Sequence, residues 1–382
     1  MLSSILQSLI AVKKAEDEQT KEAIFKLRYN IYVNELKKKN IANIDHKNKQ
    51  VVDQEDKFSG CSLFYTGNRS SPSGAFRIVT YEYDKLPKNT KEKFSLNIFP
   101  ELSGYKICEV GRLIINPKYR GSLLMLSMVF TIFKHAVQMG NIGGLLYCSP
   151  GLAKLYKKFG YRAYAGNLIA TEDGIKLPMI FINNDLEYLN YVGSPLYSLA
   201  KKLYKKQQMV DFDYNKIQDR MGDGLSSLNF DQQQVWQSLE EEFLSFQTSQ
   251  TANIIFENLT IKQIKELSDN GFILEVNRGD KLISQGLSEQ EMYVVTHGSF
   301  EVISKDGVRL CVLGKGELFG EIAFFSNKGQ RTASVVACED SKVFVISRNY
   351  IKKTMQSNQD LAIKLLYNIA KIQSLRLARA SN

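Results

Sequence analysis

From residue 272 onward the chain breaks into short strand-like runs. These are FILEV, KLISQG, MYVVTHGSFEVIS, VRLCVLG and ASVVACEDSKVFVIS, separated by glycine-bearing turns. Runs this short, turning roughly every ten residues, cannot each bury a face alone, and they predict a compact β-barrel or jelly roll. VVTHGSFEVISKDG reads as a hairpin whose first turn uses Gly298. A helical lead-in with Ile261, Ile264 and Leu267 on one face precedes the strands, and a helical pattern returns after Arg348.

The 382 residues are too many for one ordinary core and suit two domains plus connections. With 44% apolar and 24% charged residues, the composition is that of a folded chain rather than a disordered one. It contains no apolar run of roughly 18 residues, so a transmembrane helix is not expected. The opening MLSSILQSLIAVKKAEDEQ reads as an amphipathic first helix rather than a secretory signal. The formal net charge of +10 is scattered, as KKK at 37–39, KK at 157–158 and KKLYKK at 201–206. It suits anionic ligands, acidic partners or a membrane surface as well as nucleic acid. Five separated cysteines without a CxxC pair predict reduced thiols in a cytoplasmic protein, and three histidines suggest no zinc cluster.

The stretch GKGELFGEIAFFSNKGQRTASVVA, residues 314–337, carries the first chemistry. Gly316 and Gly320 let backbone approach a ligand closely, and the turn between them can present amides as an anion nest. Arg331 adds a planar donor suited to phosphate. Glu321 beside such a nest makes sense if its carboxylate accepts from a sugar hydroxyl. Phosphate and ribose together imply a nucleotide. Residues 254–375 resemble a cyclic nucleotide-binding domain, with GELFGEIAFF…RTASVVA similar to its phosphate-binding cassette. The resemblance implies that Glu321 binds the ribose 2′-hydroxyl and Arg331 the cyclic phosphate. The Gly320–Glu321–Ile322–Ala323 backbone completes the cradle. Thr332 is compatible with either base, and cyclic AMP is expected over cyclic GMP. About 30 residues follow the last strand, which leaves no helix pair for a DNA groove.

A second pattern lies upstream. KAEDEQTKEAIFKLRYNIYVNELKKK predicts a helix with Ile24, Leu27, Ile31 and Leu36 on its face and Tyr32 nearby. GCSLFYTGN and GAFRIVTYEY are strand-like. VGRLIIN ends at Pro117 and leads through a basic turn with Lys118, Arg120 and Gly121 into a long apolar helix. Turn amides and a helix N-terminus suit an anion such as a pyrophosphate. GGLLYCSPGLAKLYKKFGYRAYA reads as strand, short helix and strand.

This order resembles the GNAT acyltransferase superfamily over residues 20–185. LRYNIYVNEL, DQED, GAFRIV and EVGRLIINPKYRG are more similar to the branch of N-acyl amino acid and acyl-homoserine-lactone synthases. The resemblance implies an acyl-CoA or acyl carrier protein donor, bound along Leu113, Ile115, Arg120, Gly121 and Ser122. It places Arg28 and an aromatic over the acyl site, Glu109 as general base and Tyr156 as general acid near the donor sulfur. Amides of 113–115 would polarise the carbonyl. Each has a plainer alternative: Glu109 pairs with Arg112 or another basic side chain, Arg28 and Tyr32 pack internally, and Tyr156 is a core or surface aromatic. Asp53, Glu55 and Asp56 either bind an ammonium group or are solvated.

The expected architecture is α+β. A GNAT-like mixed sheet with flanking helices spans 1–185, a mostly helical connector with Trp236 spans 186–251, and a jelly-roll cyclic nucleotide-binding domain with closing helices spans 252–382. The expected function is a cyclic-nucleotide-regulated N-acyltransferase acting on an amino acid or small amine, as a homodimer or at a membrane surface in some states. A protein-lysine acyltransferase and a nonenzymatic sensor are the alternatives.

Overall fold

The computed structural model describes residues 11–36, 38, 43–164, 169–171, 174–221, 228–229, 239, 254–286, 291–325 and 330–380. Trp236 and most of the expected connector beyond Met221 lie outside the described residues. The chain divides into two compact units, the first built from residues up to Asp223 and the second mainly from Gly224 onwards.

In the first unit β1 (Val12–Lys14) leads to α1 (Glu18–Tyr29), whose start is fixed by Asp17 accepting from the Thr20 amide. The helix widens into a π-helix over Asn30–Glu35. Ile24, Leu27 and Ile31 are buried, as the periodicity predicts. A small hairpin of β2 (Ile44–Asp45) and β3 (Gln50–Val51) follows. Next come β4 (Cys61–Asn68), β5 (Ser71–Glu82), α2 (Lys88–Lys93), β6 (Lys106–Ile115) and α3 (Leu124–Gln138). The unit continues with β7 (Asn141–Cys148), α4 (Ala153–Phe159), β8 (Arg162–Ala163), β9 (Ile169–Thr171) and β10 (Gly174–Ile182). Helices α5 (Leu186–Tyr191), α6 (Tyr197–Lys205) and α7 (Asn215–Met221) complete it.

The sheet runs β1-β4-β5-β6-β7-β10-β8, with β9 on β10, and β6 and β7 pair in parallel while β1-β4, β4-β5, β5-β6, β7-β10 and β10-β8 pair antiparallel. Alternation along the strands gives it two apolar faces. Phe76, Ile78, Cys108 and Val110 pack on α3 through Leu124, Met128 and Ile132. Val79, Tyr81, Ile107 and Leu145 face the other way, toward Phe94, Leu96, Phe212 and Ile217. A sheet covered on both sides needs long apolar strands, and β4–β7 supply them.

Two local features shape its centre. β6 pairs in parallel with β7 from Lys106↔Asn141 to Glu109↔Leu145, and the strands part beyond that point although β6 runs on to Ile115 and β7 to Cys148. On its other side β6 carries a bulge, because Ala75 and Arg77 of β5 pair with Ile114 and Gly111. Arg112 sits in this bulge at a φ of 53°. The extra residue returns Arg112 to the face that holds Glu109, against simple alternation.

The second unit stacks two sheets, as the short runs predict. β11 (Leu228–Asn229), β12 (Phe272–Val276), β19 (Ser341–Ser347), β14 (Glu291–His297) and β17 (Leu318–Phe319) form one. β13 (Lys281–Ile283), β18 (Ser334–Ala337), β15 (Phe300–Ile303) and β16 (Arg309–Leu313) form the other. The expected hairpin at Gly298 is corrected: β14 and β15 belong to different sheets, and Gly298 turns the chain from one to the other. A two-sheet roll needs such crossings, and local turn chemistry cannot distinguish them from a hairpin.

The lead-in helix α8 (Ile261–Asn270) starts with a capping box of Thr260 and Gln263. Ile264 and Leu267 are buried, whereas Ile261 in its first turn is exposed. Short α9 (Glu321–Phe325) follows β17, and α10 (Arg348–Ser357) and α11 (Gln359–Ala380) close the unit. Leu361, Leu365, Ile369 and Ile372 of α11 pack with Ile255, Phe256 and Met292.

The pinched centre of the first sheet gives a test. A Cβ on Gly143 would lie 1.9 Å from the Phe181 carbonyl oxygen of β10. Gly143→Ala is expected to destabilise the chain by about 1–3 kcal/mol, as overpacking does, measured by denaturant unfolding.

Candidate functional site

The parted strands are surrounded by charge on one face and apolar side chains on the other. On the charged face Arg28, wholly buried, donates to both Asp56 oxygens at 2.6 and 3.0 Å and to the Val51 carbonyl. Arg77 donates to Asp53 at 2.7 Å and approaches Asp56, Glu55 and Glu109 at 3.4, 3.6 and 3.8 Å. Arg112 grips Asp53 through two 2.6 Å bonds. Lys93 donates to Glu109 Oε1 at 2.9 Å. Formal charge balances across Arg28, Arg77, Arg112 and Lys93 with Asp53, Glu55, Asp56 and Glu109, which is what burial of so many ions requires.

Electrostatics follow from this packing. Burial alone would raise the Asp53 pKa, but Arg112, then Arg77 and Arg28, outweigh it and hold the carboxyl at about 2. Burial works against the Lys93 ammonium, and Glu109 beside it more than compensates, so its pKa is raised. Burial and then Glu109 push the Tyr81 phenol up. Glu109 is almost wholly buried, yet its Oε2 has no hydrogen-bond partner, and the same holds for the Tyr81 hydroxyl. A buried carboxylate oxygen without a donor is costly, and it marks where a proton-bearing group fits.

The sequence expectations map unevenly onto this arrangement. The plainer expectation for Glu109, an ion pair with Arg112 or another basic side chain, is met by Lys93 and by Arg77 at 3.8 Å, while the bulge delivers Arg112 to Asp53. Asp53 and Asp56 are neither solvated nor free for an ammonium ligand, since Arg28, Arg77 and Arg112 occupy them. Arg28 is enclosed among carboxylates, so it orients Asp56 rather than facing an acyl group. Tyr32 stacks under the Arg112 guanidinium at 5.2 Å. Lys93 lies in none of the motifs, and although Arg77 falls within GAFRIV and Arg112 within EVGRLIINPKYRG, their pairing with Asp53 depends on long-range packing and, for Arg112, on the bulge.

On the opposite face an apolar cavity lies between the sheet and α3. Cys108, Val110, Leu113, Ile132, Phe133 and Phe181 are among the residues that line it. Tyr156 lines it too, edge-on to Tyr161, and burial pushes its phenol well up. Ile115 and Leu113 pack partly buried beside this core. At the outer end, Pro117–Tyr119 form a 3-10 turn and Gly121 takes a φ of 80°. Ser122 Oγ accepts from the Leu124 amide, at the start of α3, and donates to the Tyr119 carbonyl. Arg120 is held by both oxygens of Glu35, at 2.5 and 2.8 Å, instead of standing alone beside the turn.

In the second unit Gly320 and Arg331 meet. Arg331, 4% exposed, donates to the carbonyls of Gly320 and Glu291, each at 2.8 Å. A Cβ on Gly320 would come within 2.6 Å of Arg331 Nη1, and its φ is 86°. Only glycine fits there. Glu321 begins α9 and is buried, Ala323 is buried, and Ile322 and Thr332 are exposed. Glu321, Gly320 and Arg331 are therefore together, ten and eleven residues apart in sequence.

Family models match the chain in two places, "Acetyltransferase (GNAT) domain" over residues 27–130 and "Cyclic nucleotide-binding domain" over residues 273–358. The chain is 30% identical over 115 residues to the cAMP-dependent protein kinase regulatory subunit of Yarrowia lipolytica, covering 30% of each. It is 32% identical over 104 residues to cGMP-dependent protein kinase, isozyme 1, of Drosophila melanogaster, covering 27% of this chain and 13% of that protein. It thus spans less than a third of these relatives, whose names carry both nucleotides. Among solved structures, a cyclic nucleotide-binding domain from Methylobacillus flagellatus aligns with a TM-score of 0.34 and 18% identity, covering 38% of this chain and 81% of that one. FeeM, an N-acyl amino acid synthase from uncultured soil microbes, aligns with a TM-score of 0.37 and 12% identity, covering 50% and 97%. Among the described residues no group of side chains could hold a metal ion, and no helix is long and apolar enough to cross a membrane.

The Asp53 carboxyl gives a pH test. Its folded pKa lies below its unfolded value near 4, so its stabilisation is complete above pH 4 and is lost as pH falls through about 2. The lost contribution is about 2 kcal/mol. Asp53→Asn should remove that acid dependence and lower stability at pH 7 by about 3–5 kcal/mol, because Arg112 loses its carboxylate and Arg77 its nearest one. Denaturant unfolding between pH 2 and 7 measures both.

Proposed function

From a chain that joins a GNAT acetyltransferase domain to a cyclic nucleotide-binding domain, we propose a cyclic-nucleotide-regulated N-acyltransferase that takes an acyl thioester and an amine. One observation carries the reading: β6 and β7 part beside an unpartnered carboxylate oxygen of Glu109 and an apolar cavity. Glu109 and the cavity-lining Cys108 and Val110 point to opposite faces of β6. A thioester lying in the gap puts its acyl chain among Val110, Leu113, Ile132 and Phe133 and its carbonyl along the unpaired edge of β6. The acceptor then arrives from the Glu109 side.

Glu109 Oε2 takes a proton from the acceptor ammonium. The amine lone pair forms the C–N bond, β6 amides beyond the bulge stabilise the oxyanion, and the C–S bond breaks. Tyr156, whose elevated pKa keeps it protonated, supplies the thiolate proton, and the second proton shed by the nitrogen as the amide forms restores the phenol. Lys93 beside Glu109 suits an acceptor that carries a carboxylate, so an amino acid is favoured over a simple amine. The donor is acyl-CoA or an acyl carrier protein. Gly121, Ser122 and the start of α3 receive its phosphates, with Arg120 supplying charge when it leaves Glu35. In the second unit Arg331 and the amides after Gly320 take the cyclic phosphate, and cyclic AMP is the expected ligand.

The test measures acyl transfer from donors of graded chain length to a panel of amino acids, with and without saturating cyclic nucleotide. Glu109→Gln should lower kcat by about 10²–10⁴ while donor binding persists. Unchanged kcat in this variant would remove Glu109 as base. Arg331→Ala should abolish both nucleotide binding and the nucleotide's effect on rate. Binding of nucleotide without transfer from any donor would favour a nonenzymatic sensor. Equal rates with and without bound nucleotide would end the regulatory reading.

A further inference from the structure

The two oxygens of Glu321 stand in different circumstances. Oε1 accepts from Gln373 Nε2 at 2.5 Å and from Arg376 Nη1 at 3.1 Å, both on the last helix α11. Arg376 also donates through Nη2 to the Leu318 carbonyl at 2.6 Å and lies 3.9 Å from Glu317. One guanidinium therefore spans the cassette from β17 to the first residue of α9. Oε2 has no hydrogen-bond partner, although Glu321 is only 3% exposed.

A buried carboxylate oxygen without a donor calls for one from outside the protein. Arg331 is already aligned against the Gly320 carbonyl, one residue away. A ligand that places a hydroxyl beside an anionic group would satisfy Oε2 while its anion meets Arg331 and the cassette amides. The proposed nucleotide has that chemistry in its ribose 2′-hydroxyl and cyclic phosphate.

We propose that Gln373 and Arg376 are positioning residues for nucleotide recognition. They hold Oε1 so that Oε2 is aimed at the ribose, and one carboxylate thereby couples ligand binding to docking of the last helix. The inference rests on the proposed cyclic nucleotide site. It adds that α11 is part of the ribose-reading device, and that helix and ligand strengthen each other's hold on Glu321 rather than compete for it. By linkage, whatever the docked helix adds to nucleotide affinity, the nucleotide returns to helix docking. Without Arg376 the carboxylate loses both its orientation and the nearest cation that it accepts from.

The experiment titrates the full chain calorimetrically with cyclic AMP and its 2′-deoxy analogue, or with the cyclic GMP pair if that nucleotide binds. Wild type is compared with Arg376→Met, Arg376→Lys and Gln373→Leu, each checked for an unchanged circular dichroism spectrum. Wild type should bind the 2′-deoxy analogue roughly ten- to a hundredfold more weakly, the loss expected for one hydrogen bond to a charged group. In Arg376→Met the affinity for the parent nucleotide should fall about tenfold, and the 2′-deoxy penalty should shrink below about threefold. Arg376→Lys should restore part of it. Gln373→Leu should shift both quantities the same way by less, which keeps the comparison readable if Arg376→Met binds too weakly. Amide exchange over 359–380 should slow with the parent nucleotide and less with its 2′-deoxy form. An undiminished 2′-deoxy penalty in the folded Arg376→Met and Gln373→Leu proteins would overturn the coupling and leave the nucleotide site standing. Tighter nucleotide binding in those variants would show competition and overturn it as well. No binding by wild type would remove the nucleotide reading and this inference together.

Discussion

The constraint on which the first unit depends is the burial of two arginines, with a third arginine and a lysine half-buried beside them, beneath one face of its central sheet. Ions cannot leave water without partners, and here each cation finds a carboxylate brought from a distant part of the chain. Arg28 comes from α1, Asp53 and Asp56 from the turn after β3, Arg77 from β5, Lys93 from α2, and Glu109 and Arg112 from β6. Any element that fails to dock leaves a charge uncompensated. The network thus fixes where α1, α2 and the β3–β4 connection sit relative to β6.

The same network explains why the two Glu109 oxygens differ. Arg77 and Lys93 face its Oε1, while Oε2 is buried and without a partner. The bulge at Arg112 serves both tasks, since it sends the Arg112 side chain to Asp53 and interrupts the regular edge of β6 where β7 departs. Stability and the proposed chemistry are therefore not separable at this strand. A substitution that disturbs Asp53 disturbs the setting of Glu109 as well.

In the second unit, backbone geometry has the organising role. Gly320 can bring its carbonyl to Arg331 only because it has no side chain, and this contact places Glu321 at the start of α9. The last helix then closes on the same carboxylate through Gln373 and Arg376. Two distant segments meet at Glu321, and its second oxygen is buried without a hydrogen-bond partner.

Much of this was legible in the sequence. Glycine-punctuated runs of alternating apolar residues determined the two-sheet roll, since short strands cannot be stable except stacked. Apolar periodicity determined α1 and α3, and the glycine–glutamate–arginine spacing located the cassette. Those signals are local, because each is set by the geometry of a few neighbouring residues. Only tertiary structure decided the rest. The turn at Gly298 reads the same whether its strands pair or part, so the crossing between sheets could not be seen locally. Asp53 and Asp56 look like any solvated acidic cluster until arginines from other elements cover them. Arg77, Lys93, Arg112, Gln373 and Arg376 lie far along the chain from the carboxylates they hold. Their roles arise from burial and long-range charge pairing, which no local pattern encodes.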